Sequence, residues 1–375
     1  MSDPLADPGS IHWQLLQIMA GPEAADPTTF RRAAELGVFP TVRQWLKNRG
    51  DDVSASDPGA RRHQVAHALR RRALDEILDA VDSPFVVLKG LPLARELYAD
   101  PSRRQSGDID LLTRRSDLDS MRHELEQIGY RATSPIDSDA NRELELVHED
   151  TGLLIDLHWR IAFPWVPSPS TTKLISSRTA VRIAGRSIPV LSRPNRLVNL
   201  FLHFHDHVGF VKGLLDIAAF LDVHGPESLD EAMPVLDECG LIGVASWPLE
   251  VFKRLAITAP EPPAHRRSTS LLAGWTARPL PLLLRHHEEI GARHPSSFKL
   301  GTITNGEQVA MKAATMTLLD RRRDRIRAMV RPVASSPSAL ARRSGRQAPA
   351  PQDWLRWALR PAELVARQFR QMTDD

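Results

Sequence analysis

Cysteine is almost missing from this chain: Cys239 is the only one in 375 residues. A lone thiol excludes an internal disulfide and a cysteine-rich zinc site, so a reducing cytoplasm is the expected setting. Long apolar runs are lacking too. None approaches the roughly 20 residues that a membrane-spanning helix needs. The segment Met1 to Ser10 is acidic and proline-containing, with no apolar core of the kind a secretory signal carries. Nor does charge of one sign dominate. The net charge is only +3, so no global field announces a nucleic acid, although arginines gather towards the C-terminus. No repeat recurs at solenoid periods.

What is present is ordinary globular material, 42% hydrophobic and 25% charged, in a chain long enough for two or three units. From Ile11 to Met19 and from Thr28 to Asn48 apolar residues recur at helical spacing, which predicts short helices separated by Gly21-Pro22 and by Phe39-Pro40. A polar loop is expected from Asn48 to Gly59. Arg61 to Val81 then reads as a long helix with Val65, Leu69, Ala73, Ile77 and Val81 on one stripe, and with Arg70-Arg71-Arg72 on a solvated face.

The stretch from Phe85 to Trp159 holds the anomaly. It opens with an apolar run, Phe85 to Leu88, followed by Lys89 and stopped by Gly90. It continues through Gly107-Asp108-Ile109-Asp110-Leu111-Leu112 and closes on Leu153-Leu154-Ile155-Asp156-Leu157-His158-Trp159. On a strand, side chains alternate between faces, so Asp108 and Asp110 point one way while Ile109 and Leu111 point the other. Like charges side by side raise each other's pKa unless a cation lies between them. The arrangement therefore calls for a metal, and an adjacent strand bringing Asp156 to the same point would complete a hard oxygen site for Mg²⁺ with a substrate phosphate. Ser116 is expected to cap a helix running to Ile128, and Thr151-Gly152 to turn a hairpin between Leu144–Asp150 and Leu153–Trp159.

This ordered set resembles the nucleotidyltransferase superfamily of DNA polymerase β type. More closely it resembles an uncharacterised bacterial nucleotidyltransferase family, through Leu88-Lys89-Gly90, Arg104, Asp108 to Leu112, Gly129-Tyr130 and Asp156-Leu157-His158-Trp159. Two departures from the superfamily stand out: Leu91 follows the glycine where a Gly or Ser is usual, and the gap from Gly90 to Asp108 is longer than the norm. The resemblance implies an α+β fold, a small mixed-sheet core with N-terminal helices and a helical C-terminal domain. It implies NMP transfer from an NTP to an acceptor hydroxyl on a small molecule, sugar or peptide, with release of pyrophosphate. Asp108, Asp110 and Asp156 would hold two Mg²⁺ ions and carry catalysis. Lys89, Gly90, Arg104 and Gly107 would bind the nucleotide, joined by the helix face of His203 and His207 with Lys212 and Asp216. The alternatives are a non-catalytic binding or scaffold module on the same fold, or a toxin-type transferase acting on tRNA or protein. RNA is the less favoured partner.

Downstream, Arg182 to Val190 reads as a β excursion around Gly185, and Pro194 introduces a helix from Asn195 to Phe210. His203 and His207 lie four apart there, a spacing that can ligate zinc, but no glutamate follows His203 as a zincin requires. Helical patterns continue over 214–221, 229–239, 244–255 and 270–276, and Met311 to Val330 reads as a basic amphipathic helix. The stretch 331–350 is rich in Pro, Ser and Arg. Trp354 to Met372 reads as a terminal amphipathic helix that folds back on the protein, with peripheral membrane contact as the other option. The organisation expected is an N-terminal helical region (1–82), a catalytic core (83–193), a helical domain (194–330) and a basic tail (331–375). The sequence leaves His148 and His158 open between packing and function, and does not speak to the oligomeric state.

Overall fold

The protein is seen here as a computed structural model that describes residues 3–20, 27–133, 141–207, 211–261, 263, 273 and 314–330. The expected tail, and the helix expected at 270–276 apart from Ala273, lie outside the described residues. Among those residues no helix is long and apolar enough to cross a membrane.

The chain opens with α1 (Ile11–Ala20), α2 (Pro27–Glu35), α3 (Phe39–Arg49) and the long α4 (Asp57–Ala80). Phe39-Pro40 does not separate two helices but begins α3, because proline fits the first turn, where its missing N–H has no intrahelical partner. The break falls one step earlier, at Gly37, whose φ of +69° suits glycine. The expected loop over 48–59 is shorter, since α4 starts at Asp57. Its predicted stripe is buried only in its second half. Ala73, Leu74, Ile77 and Val81 are in the core, whereas Val65 and Leu69 are 62% and 45% exposed.

The core follows as β1 (Phe85–Val87), α5 (Leu91–Leu97), β2 (Ile109–Thr113), α6 (Leu118–Gln127), β3 (Tyr130–Ala132), β4 (Glu143–His148), β5 (Leu154–His158), α7 (Thr171–Ser176), β6 (Thr179–Ile183) and β7 (Arg186–Val190). These strands form one mixed sheet in the order β3-β4-β5-β2-β1-β7-β6. The predicted hairpins appear as β4–β5 and β6–β7, both antiparallel. Strand β2 runs parallel to β5 and antiparallel to β1. Ser116 does not cap α6, which begins two residues later; its hydroxyl instead donates to Asp117. Asp108 immediately precedes β2 rather than lying within it.

Period-two alternation sends the two faces of the sheet into different apolar clusters. Phe85, Val87, Ile109, Leu111, Ile155 and Leu157 pack with α4 and α6. Val86, Leu88 and Leu112 point the other way, into a cluster shared by α1–α3 and by α8 (Arg193–Asp206), α9 (Val211–His224), α10 (Glu227–Cys239) and α11 (Ile242–Arg254). The N-terminal and C-terminal helices therefore meet in one core. Asp222 on α9 ties them further, accepting from the Ile11 and His12 amides at 2.8 Å each and satisfying the first turn of α1. The helix expected over 311–330 is interrupted. Residues 317–321 are turns, Leu318 and Leu319 enter the core, and only α12 (Arg322–Val330) continues as helix, with Ile326 exposed.

Candidate active site

The face of the sheet that meets α8 and α9 carries the acids. Residue 110 follows the same alternation as Leu112, so Asp110 is turned towards those helices, and parallel pairing sets Asp156 directly across from it. Antiparallel pairing with β4 sets Glu143 across from His158. One ligand atom each from Asp110, Asp156 and His158 lies within 4.8 Å of the others. Asp108 is not in that trio but lines the same cavity, of about 250 Å³, with Lys89, Gly107, His203 and His207. Of the residues expected at the site, Asp108, Asp110, Asp156, Lys89, Gly107, His203 and His207 are thus brought together.

Asp110 is almost fully buried. Burial disfavours its charge, but Lys89 Nζ at 3.0 Å and His158 Nε2 at 3.3 Å outweigh that and hold its pKa well below the ordinary carboxylate range. Its other oxygen, Oδ2, is buried with no hydrogen-bond partner. Asp156 has the opposite balance: burial and the neighbouring Asp110 charge push its carboxyl up to about 6. His158 Nδ1 lies 3.0 Å from Glu143 Oε2, and the two flanking acids raise the imidazole against the effect of burial. An orphaned buried oxygen beside a carboxylate penalised by its neighbour is a donor set short of positive charge, which fits a hard divalent cation held by Asp110 and Asp156. The His158 nitrogen is a softer donor, and its contacts with two carboxylates make it their counter-charge.

Cations close the cavity from the helical side. Lys89 Nζ, besides pairing with Asp110, lies 3.1 Å from His203 Nε2. Burial and the nearby Lys89 lower the His203 pKa, so this imidazole is neutral and serves as the lysine's acceptor. The His203 and His207 rings are 4.5 Å apart, yet they join no group of metal-holding side chains among the described residues. Lys212 lines the cavity without an ion pair among the described residues, and burial with the nearby Arg104 charge lowers it to about 8. Gly90, at φ +75°, immediately precedes α5, and a Cβ there would meet Ser106 Oγ at 3.3 Å; the strand end and the 106–108 loop approach closely because it has none.

Arg104 sits elsewhere. Its guanidinium is 3% exposed and makes two 2.7 Å hydrogen bonds to Asp216, which is equally buried, and it does not line the cavity. The pair fastens the loop before β2 to α9. Arg142, Glu143 and Asn199 line the cavity without having been singled out in the sequence. The signal for Glu143 lay in the hairpin register opposite His158; for Arg142, buried against Asp206 of α8, only tertiary packing reveals it. Arg70 was also read as solvated, yet its Nε donates to the Gly107 carbonyl at 3.2 Å. His148 packs edge-on against Tyr130, with ring centroids 5.0 Å apart, and does not line the cavity.

A family model described as an uncharacterised nucleotidyltransferase matches residues 10–244. The chain belongs to that family. Membership supports nucleotidyl transfer and implies an NTP substrate, and the matched span covers α1 to the start of α11, the whole setting of the acids. Among solved structures, the antibiotic-resistance factor ANT(2'')-Ia is 18% identical with a TM-score of 0.34, over 45% of this chain and 92% of that one. A nucleotidyltransferase-like antigenic protein from Paracoccidioides brasiliensis is 16% identical with a TM-score of 0.27, over 53% of this chain and 93% of that one. Likeness at that level carries no argument about substrate. No curated protein matches the chain.

Proposed function

We propose that this protein is a divalent-metal-dependent nucleotidyltransferase that moves an NMP from an NTP to an acceptor hydroxyl and releases pyrophosphate. Above all, this reading rests on the direct register of Asp110 with Asp156 on adjacent parallel strands, facing a cavity that also holds Asp108 and two lysines. Asp110 and Asp156, with Asp108 beside them, would hold Mg²⁺. The bound metal supplies neutralisation of charge on the attacking and leaving oxygens.

The protein's own groups do the rest. Lys212, with no carboxylate paired to it among the described residues, and Lys89 draw the phosphates into the cavity. Gly107, on the cavity wall, offers backbone at close range. Asp156, facing the cavity directly across from Asp110, is the carboxylate placed to take the proton of the acceptor hydroxyl as that oxygen attacks. His158 and Lys89 hold Asp110 ionised and oriented.

The test is incubation with α-phosphate-labelled NTPs, Mg²⁺ and cell extract, tracking labelled product. Asp110→Asn is expected to abolish product while circular dichroism stays unchanged; undiminished product would refute the role. Calorimetry separates a non-catalytic module, which would bind no NTP in a metal-dependent manner.

A further inference from the structure

The catalytic cavity, at about 250 Å³, falls short of the roughly 300–1,000 Å³ typical of small-molecule sites. It has room for reacting phosphates but not for two whole substrates. A second cleft, of about 650 Å³, lies against the loop before β2. The same loop walls both: Gln105 and Ser106 line the cleft, while Gly107 and Asp108 line the cavity. Arg70 bridges them, lining the cleft while its Nε donates to the Gly107 carbonyl.

The cleft has an apolar floor and a cationic rim. Phe30 and Phe39 form the floor, edge to face with centroids 6.2 Å apart. Gly59 at the start of α4 closes on Phe39 so tightly that a Cβ would lie 2.9 Å from Cζ. Around them stand Arg31, Arg62 and Arg70, with no carboxylate in the lining among the described residues. Arg31 and Arg62 are exposed and make no ion pair among the described residues. The acid nearest to Arg62 in sequence, Asp57, is paired with Arg43, and Glu35 stands four residues beyond Arg31 on α2. Burial lowers the His63 pKa, outweighing the opposite effect of its Nε2 contact with the Ser102 carbonyl, so it adds little charge. Another large depression, near α7 and α10, is also rich in arginine and lysine, but there Lys173 pairs with Glu238 and Arg323 with Asp324.

We propose that the cleft between α2, α4 and the 105–108 loop seats the acceptor, an organic anion with an apolar body whose phosphate or carboxylate rests on Arg31 and Arg62. This rests on the transfer reading above. The acceptor hydroxyl reaches over the Ser106–Gly107 rim. Its oxygen bonds to the α-phosphorus as the bond from that phosphorus to the bridging oxygen breaks, the electron pair leaves with pyrophosphate, and the proton passes to Asp156.

The test is calorimetry on the full chain with 1-naphthyl phosphate, 1-naphthoate, 1-naphthol and inorganic phosphate. One of the two naphthyl anions is expected to bind at least about tenfold more tightly than naphthol or inorganic phosphate, the difference between the two anions identifying the charged group. Arg31→Gln and Arg62→Gln, both exposed and harmless to folding, should each weaken that binding about tenfold, the scale of one charge-assisted hydrogen bond. Binding should persist in Asp110→Asn and with saturating Mg²⁺ and a non-hydrolysable NTP. Equal binding by wild type and both arginine variants overturns the proposal. So does displacement by the nucleotide, which would make the cleft its seat. These equilibrium results stand apart from product formation, whose absence would sink the transfer reading instead.

Discussion

Lys89 and Lys212 face the same cavity but start from different balances. Lys89 is held charged by Asp110 and Asp108 despite its burial, whereas Lys212 is lowered to about 8 by burial and the Arg104 charge. A phosphate gains more from Lys212, which makes no ion pair among the described residues. Lys212→Met is therefore expected to raise the KM for NTP by about 10- to 100-fold with a smaller change in kcat, on the scale of one charge-assisted bond. Since a lysine carries charge below its pKa, kcat/KM in the wild type should fall as pH rises through about 8. In Lys212→Arg that fall should move to higher pH; an unmoved profile would remove Lys212 from phosphate binding. Asp156 gives a test on stability. Its folded pKa of about 6 lies above the ordinary 3.8, so the metal-free folded state binds the extra proton and loses stability as pH rises from about 4 to 6. Asp156→Asn should be more stable than metal-free wild type at pH 7 by about 1–2 kcal/mol, discounted for partial exposure. The difference should vanish below about pH 4. Urea titrations at the two pH values check this, and a less stable variant at pH 7 would refute it.

The element that joins sheet to helices is the loop between α5 and β2. Arg104 lies there, buried with Asp216 of α9, and breaking such a pair from one side leaves a buried charge uncompensated. Arg104→Gln is expected to cost about 3–5 kcal/mol in chemical denaturation. If instead the variant stays fully stable and only its KM for NTP rises, Arg104 is a phosphate ligand, as the resemblance implied. Several elements were readable in the chain because short periods fix which face a residue takes. The alternation around Asp110 and Asp156, and the turn at Thr151-Gly152, suffice to foresee acid-bearing strands and a hairpin. The mistaken ends have physical causes. Proline is as much at home in a first helical turn as between helices, which misplaced the break before α3. An apolar stripe such as Val65 and Leu69 shows amphipathicity without showing how far the partner surface extends.

At the scale of the whole molecule, Trp45 of α3 and Trp247 of α11 are fully buried in the same cluster although one precedes the sheet strands in the chain and the other follows them. Trp45→Ala and Trp247→Ala should each cost about 3–5 kcal/mol, and both should shift one shared unfolding transition. Two separable transitions, each moved by one variant only, would contradict a common core. The chain alone determined which residues are acidic, which strands present them and roughly where helices start, because those properties depend on spacing within a few residues. Only the tertiary structure decided that β5 lies beside β2 with Asp156 opposite Asp110, that Arg104 turns inward to Asp216, and that Arg70 reaches Gly107. Each of these joins residues far apart in the chain, and local periodicity holds no information about which distant surface a side chain meets.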